Sequence, residues 1–288
     1  MSKNTSAITA VVGGFIIFGL KLLAYFLSGS VALLSDALES IANIAASFIM
    51  LVSVRISNKP PDNIHQYGHQ KVENISAFIE GALILIAGSA IIYTAANRFF
   101  NPVELGTLDI ALGVSLLATA SNYGLSLYLA KNAKKLGSMA LEGDSKHLLS
   151  DVLSSIGVVF GLVIAKFTGW TIIDPLLAFL VGFLVLKMGI ELILRAGNGL
   201  LDQNCPEEEA RIRAVLDSHN PSFVDYHNLK TRRNGDKIYA ELHLSIDGSE
   251  TVQEAHDFTD HLQEDIQKEL PEIRISIHVE PPEAKTHN

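Results

Sequence analysis

Six stretches of this chain, roughly residues 7–27, 31–54, 73–97, 107–130, 146–168 and 174–195, are apolar over the ~20 residues that a helix needs to cross a bilayer. Nothing else in the sequence limits the fold as strongly. Backbone amides in hydrocarbon must be bonded within their own segment, so the first two thirds read as an all-α, six-helix transmembrane domain. No small-residue cleavage site follows a short apolar core, and the first stretch is therefore read as a span, not as a removable leader. The hydrophobic content of 48% is that of a membrane protein with a soluble tail.

Lys3, Arg55, Lys59, Lys71, Lys131, Lys134, Lys135 and Arg195 fall on one side of the six spans, against Arg98 alone in the opposite loops. Basic residues concentrate on the cytoplasmic side, which places both termini there. The net charge of −9 resides in the tail, where 18 acidic residues face 9 basic ones from Pro206 onward. Such a balance argues against nucleic acid and for cations as partners. A single cysteine, Cys205, excludes an internal disulfide and suits a reducing compartment.

The segment NGLLDQNCP ends the last span with Gly and Asn and opens a new helix at Pro206, with Glu207, Glu208 and Glu209 at its positive end. The expected domains are 1–205 and 206–288. Within the tail, residues 206–218 read as a helix, 223–232 and 237–247 as strands joined at Asn234-Gly235, 250–270 as a helix and 273–280 as a strand. That αββαβ order suggests an α+β ferredoxin-like domain, a small antiparallel sheet covered by two helices. Alternation in KIYAELHLSID turns Ile238, Ala240, Leu242, Leu244 and Ile246 inward and leaves Tyr239, Glu241 and His243 opposite. In IRISIHVE, His278 and Glu280 share the face away from Ile275 and Ile277.

The second span, VALLSDALESIAN, carries Asp36, Glu39 and Asn43 at i, i+3 and i+7, and the fifth carries Asp144, His147 and Asp151 at the same spacing. Each set lies on one helical face, and two polar stripes in a bilayer are most simply paired around a positive charge. Glu39, Asn43, His147 and Asp151 would make a mixed oxygen and nitrogen site for one divalent cation. Such a set suits zinc and tolerates Fe(II), Mn(II) or Co(II). The plainer alternative is that the stripes hydrogen-bond to each other and only hold the helices together.

After the second span, PPDNIHQYGHQKVE places Asp62, His65 and His69 where they could form a small metal site, the alternative being solvated histidines. Lys71 and Glu73 could serve there as helix-end charges or salt-bridge partners. The tail holds seven of the ten histidines. His227, His243, His256 and His278 sit on elements that the expected fold brings together, and with Glu280 could bind one or two ions. His219, His261 and His287 lack such partners and are read as surface residues.

Taken together, GSVALLSDALES, HQYGHQKVE, HLLSD and the histidine-bearing tail resemble the cation diffusion facilitator family of divalent-metal transporters over nearly the whole chain. Order and spacing look closest to the bacterial ferrous-iron and zinc efflux branch, whose members are homodimers exchanging cytoplasmic metal for protons. The resemblance implies a multi-pass protein of the inner (plasma) membrane. It maps the transport site onto Glu39, Asn43, His147 and Asp151, with Asn43 a departure from the usual acid and Asp36 a possible accessory or proton relay. It maps the loop site onto Asp62, His65 and His69, and a binuclear tail site onto His227, His243, His256 and His278 with Glu280 bridging in place of Asp. Lys71 and Asp202 match an interlocking salt bridge at the family's dimer interface.

The ligand chemistry also points to exchange with protons, because metal binding displaces protons from His147 and the carboxylates and protons compete the metal off again. Two other functions compete with export. One is a metal-binding membrane scaffold or sensor with little transport of its own. The other is an antiporter for monovalent or alkaline-earth cations, favoured by Asn43 and the extra carboxylates and opposed by His147. No nucleophile-base pair or phosphate loop supports an enzyme.

Overall fold

The structure, a computed structural model, describes residues 2–28, 31–100, 110–168 and 173–283, leaving aside the side chains at 24, 25, 27, 28, 31–39, 42, 98, 110–112, 114, 115, 158–168, 173 and 174. The chain divides into two compact units, Met1–Gly197 and Asn198–Asn288.

Six helices form the first unit: α1 (Lys3–Ser28), α2 (Val31–Ser57), α3 (Val72–Phe100), α4 (Ile110–Leu136), α5 (Met139–Thr168) and α6 (Ile173–Leu200). Among the described residues, Lys3–Leu23, Val72–Asn97 and Pro175–Leu200 are long and apolar enough to cross a membrane by length and composition alone. These same helices turn large apolar side chains outward, including Phe15, Ile86, Phe183 and Leu194. Such a surface suits lipid.

Inside the unit, α5 packs against α2, α3 and α4, while α1 lies on α2 and α4. Met50, Leu129 and Leu141 centre one apolar cluster, and Ala77 and Ile84 of α3 meet Val185, Leu192 and Ala196 of α6 in another. The α3–α6 seam depends on absent side chains. A Cβ on Gly81 would stand 2.6 Å from Ile193 Cγ1, and one on Gly189 would stand 3.1 Å from the Gly81 carbonyl oxygen. Lipid offers helices little hydrophobic reason to associate, so this close backbone approach supplies packing contacts instead.

A buried ion pair ties the helix ends together. Lys3 Nζ donates to Glu73 Oε1 at 2.9 Å, Ser57 Oγ to the same oxygen at 2.7 Å, and Ser138 Oγ to Oε2 at 2.5 Å. Glu73, only 2% exposed, thus joins α1, α2, α3 and the start of α5.

The second unit contains α7 (Pro206–Ser218), β1 (Asp225–Asn234), β2 (Lys237–Ser245), α8 (Val252–Glu269) and β3 (Ile273–Glu280). Pro206 and three glutamates open α7 as the sequence suggests, and a Thr251–Glu254 capping box opens α8. Strand order is β1-β2-β3. The β1–β2 pair is antiparallel, but β2 and β3 run parallel, which corrects the expectation of an antiparallel sheet. The cause is α8, a crossover long enough to return the chain to the same end before β3 begins. Leu262 and Ile266 of α8 and Ile212 and Leu216 of α7 pack on Ile238, Ala240, Leu242 and Leu244, so both helices cover one face of the sheet. Odd-numbered β2 residues, His243 among them, occupy the other face.

Candidate metal sites

Polar side chains from three helices meet inside the first unit. Asn43 of α2 links two candidate ligands of α5: its Nδ2 donates to Asp151 Oδ2 at 2.5 Å, and its Oδ1 lies 3.1 Å from His147 Nε2. One turn away, Ser47 Oγ donates to Asp144 at 2.9 Å. The i, i+3, i+7 stripe of α5 therefore meets α2 along its length. Asp36 and Glu39 belong to the same helix, but their side chains lie outside the described residues.

Glu80 of α3 enters the group from a direction the sequence reading overlooked. It is 1% exposed, neither carboxylate oxygen has a hydrogen-bond partner among the described residues, and Oε2 is 3.9 Å from His147 Nδ1. Asp144 and Asp151 are close enough to interact with it electrostatically. A buried carboxylate facing other acids without a donor is costly unless a cation or a proton joins it. The signal was present in the sequence: Glu80 is an acid inside an apolar span, where ionisable residues mark functional sites.

Gly143 allows α5 to approach α3 at this level, since a Cβ there would stand 3.1 Å from both Ala77 Cα and Glu80 Cγ. Gly143→Val should push Glu80 away from His147, weakening metal binding and lowering stability by about 1–3 kcal/mol through overpacking. Metal titration and thermal unfolding of the detergent-solubilised variant check both effects.

The loop between α2 and α3 brings Asp62, His65 and His69 together. His65 Nδ1 is 3.5 Å from Asp62 Oδ1, His69 Nε2 is 3.4 Å from Oδ2, and the two rings lie 4.5 Å apart. Gly68, at φ +89°, supplies a left-handed turn between the histidines. The His65 backbone amide donates to Asp62 at 2.6 Å and is the main reason this carboxyl is held below its ordinary value of 3.8. A depressed carboxyl stabilises the fold above roughly pH 4, and that contribution disappears as pH falls through the folded-state value. Protection of the His65 amide against hydrogen exchange, relative to its intrinsic rate, should thus persist to roughly pH 4 and then decline. Unchanged protection throughout acidification would contradict the assignment.

In the second unit, three strands place three histidines in one row: His227 pairs with His243, and His243 with His278. Their neighbouring rings are 5.2 and 4.8 Å apart. Glu280 reaches into the row, with Oε1 3.2 Å from His227 Nε2 and Oε2 3.3 Å from His243 Nδ1. A β-bulge after His227 contains Asn228, whose left-handed φ of 53° directs Nδ2 to within 3.3 Å of His243 Nε2. Among the described residues, both His227 nitrogens and Glu280 Oε1 are buried without a hydrogen bond. His227, His243 and Glu280 converge closely enough to hold a metal ion. His278 joins by ring contact only. His256 is on α8, 61% exposed and 3.5 Å from Asp260, and is not among the ligand atoms brought together. Asp202 faces Arg232 at 3.5 Å, while Lys71 precedes α3 in the other unit.

Two family models match this chain. The cation efflux transmembrane domain covers residues 7–201, and the cytoplasmic domain of cation efflux proteins covers 205–282. Together they define an integral-membrane transporter of metal cations, not an enzyme. The chain belongs to the cation efflux family, also called cation diffusion facilitators. It is 35% identical over 278 residues to the uncharacterized transporter sll1263 of Synechocystis sp., across 96% of this chain and 89% of that one. Identity to the cation-efflux pump FieF of Pectobacterium atrosepticum is 31% over 285 residues, across 98% and 94% of the two chains. The metal-bound C-terminal domain of the CzcD transporter from Thermotoga maritima is 32% identical, covering 26% of this chain and 87% of that one with a TM-score of 0.25.

Proposed function

We propose that the protein exports a divalent transition metal, zinc foremost, from the cytoplasm in exchange for protons and as a homodimer in the inner membrane. The observation that carries this reading is the meeting of Asn43, His147 and Asp151 with the unpartnered Glu80 inside a helical membrane unit. Glu39 completes the ligand set on α2, with Asp36 as an accessory one turn before it. An imidazole among oxygen ligands favours zinc, iron(II), manganese(II) or cobalt(II) over alkaline-earth ions.

Protons and metal compete for the same atoms. A cation entering between Asn43, His147 and Asp151 replaces the hydrogen bonds that join them, and protons arriving from the far side restore those bonds. Residues 1–205 form the transport domain in this scheme. Residues 206–288 form a cytoplasmic domain whose His227, His243 and Glu280 hold a regulatory ion, with both termini cytoplasmic. The homodimer is supported by the match to the family's cytoplasmic domain, and export by the similarity to the cation-efflux pump FieF.

The test is competition for export in inside-out membrane vesicles, comparing Zn(II), Fe(II), Mn(II), Co(II) and Mg(II). Accumulation of transition metals but not Mg(II) is the expected result. Preference for Mg(II) would overturn the assignment, and binding with no flux for any ion would favour a metal-binding scaffold.

A further inference from the structure

The second unit contains another cluster of ligand atoms, on the helical side of its sheet. His219 caps the C-terminal end of α7, and His261 and Asp265 lie four residues apart on α8. His219 Nε2 is 3.2 Å from Asp265 Oδ2, and His261 Nε2 is 3.6 Å from the same oxygen. The two rings meet edge to face at 5.3 Å. Because α7 and α8 cover the sheet face opposite His243, this group is separate from the His227–His243–Glu280 set.

The hydrogen bonds around the cluster specify which atoms are available. His219 Nδ1 lies 2.9 Å from the Val215 carbonyl, which can only accept, so the ring proton is on Nδ1. Ser218 Oγ is 3.2 Å from the same nitrogen. In the neutral imidazole Nε2 then presents a lone pair to the Asp265 carboxylate, a repulsion that a shared metal ion or a second ring proton relieves. Anchoring one ring nitrogen on a backbone carbonyl is also how metal-binding histidines are commonly oriented. Lys268 Nζ holds the other oxygen, Oδ1, at 2.5 Å, and chiefly for that reason Asp265 is kept below its usual carboxylate range. Its Oδ2 remains directed at the histidines.

We propose that His219, His261 and Asp265 form a further site for a divalent transition metal of the zinc type, clamping the end of α7 to α8. Zinc bound at about 2.0–2.1 Å in a tetrahedron separates its ligands by about 3.4 Å. The two imidazole-to-carboxylate separations bracket that value. A water completes the fourth position. Two histidines and one carboxylate favour zinc-like ions over calcium or magnesium.

The full-length protein in detergent, stripped of metal with chelator, is dialysed against a fixed free Zn2+ concentration and its metal content measured. His219→Ala/His261→Ala should bind one zinc fewer per chain than the parent while retaining the parent's helical circular dichroism. His243→Ala, altered on the other face, should lose its own ion and leave this one. Equal zinc content in the parent and the folded double variant would overturn the proposal. If the double variant does not fold, anomalous diffraction at the zinc edge from parent crystals decides. A peak within bonding distance of His219 Nε2 and Asp265 Oδ2 supports the site, and peaks confined to the other clusters refute it.

Discussion

Replacing Glu73 by alanine is expected to lower the stability of the membrane unit by about 3–5 kcal/mol, the range for breaking a buried ion pair from one side. The substitution removes the acceptor for Lys3, Ser57 and Ser138 at once. Lys3 is only 12% exposed, so its ammonium loses a partner where water replaces it poorly. Glu73→Gln keeps the shape and one acceptor oxygen, and a smaller loss of about 1–3 kcal/mol follows from hydrogen-bond deletion. Thermal unfolding in detergent measures both. Lys3→Met combined with Glu73→Leu should be far less damaging than the separate losses imply, because no charge is then stranded.

The second large effect is on transport. Asp151→Asn should abolish metal flux while leaving stability near that of the parent, since the amide preserves shape and can still hydrogen-bond. Asp151→Ala should abolish flux as well and additionally leave the Asn43 amide without its acceptor, destabilising by about 1–3 kcal/mol. Glu80→Gln removes a charge that has no hydrogen-bond partner to lose. Metal affinity should fall by about 10–100-fold, with stability unchanged or improved. Isothermal titration separates that pattern from a merely structural role, in which stability would fall and affinity would not.

Local signals were the legible ones. Apolar length placed the six helices, and period-two alternation placed His243, His278 and Glu280 on one face of the sheet. Short loop spacing likewise anticipated the contact among Asp62, His65 and His69. Features joined across long separations were harder to read. Lys3 and Glu73 are 70 residues apart, and Glu80 meets His147 only because Gly143 lets α3 touch α5. The parallel β2–β3 pairing depends on how α8 crosses the sheet, which alternation within each strand does not encode. In sequence His219 looks like a surface residue, because its partners lie on a helix that begins more than thirty residues later.

In the proposed mechanism the polar cluster of α2, α3 and α5 exchanges metal for protons. Its most direct test is zinc uptake into sealed proteoliposomes under an imposed pH gradient, with interior pH followed by a trapped dye. The account predicts zinc accumulation with opposing proton movement, both reversing when the gradient is reversed and both absent with Asp151→Asn. Zinc flux that ignores the gradient, or that survives the substitution unchanged, would contradict it.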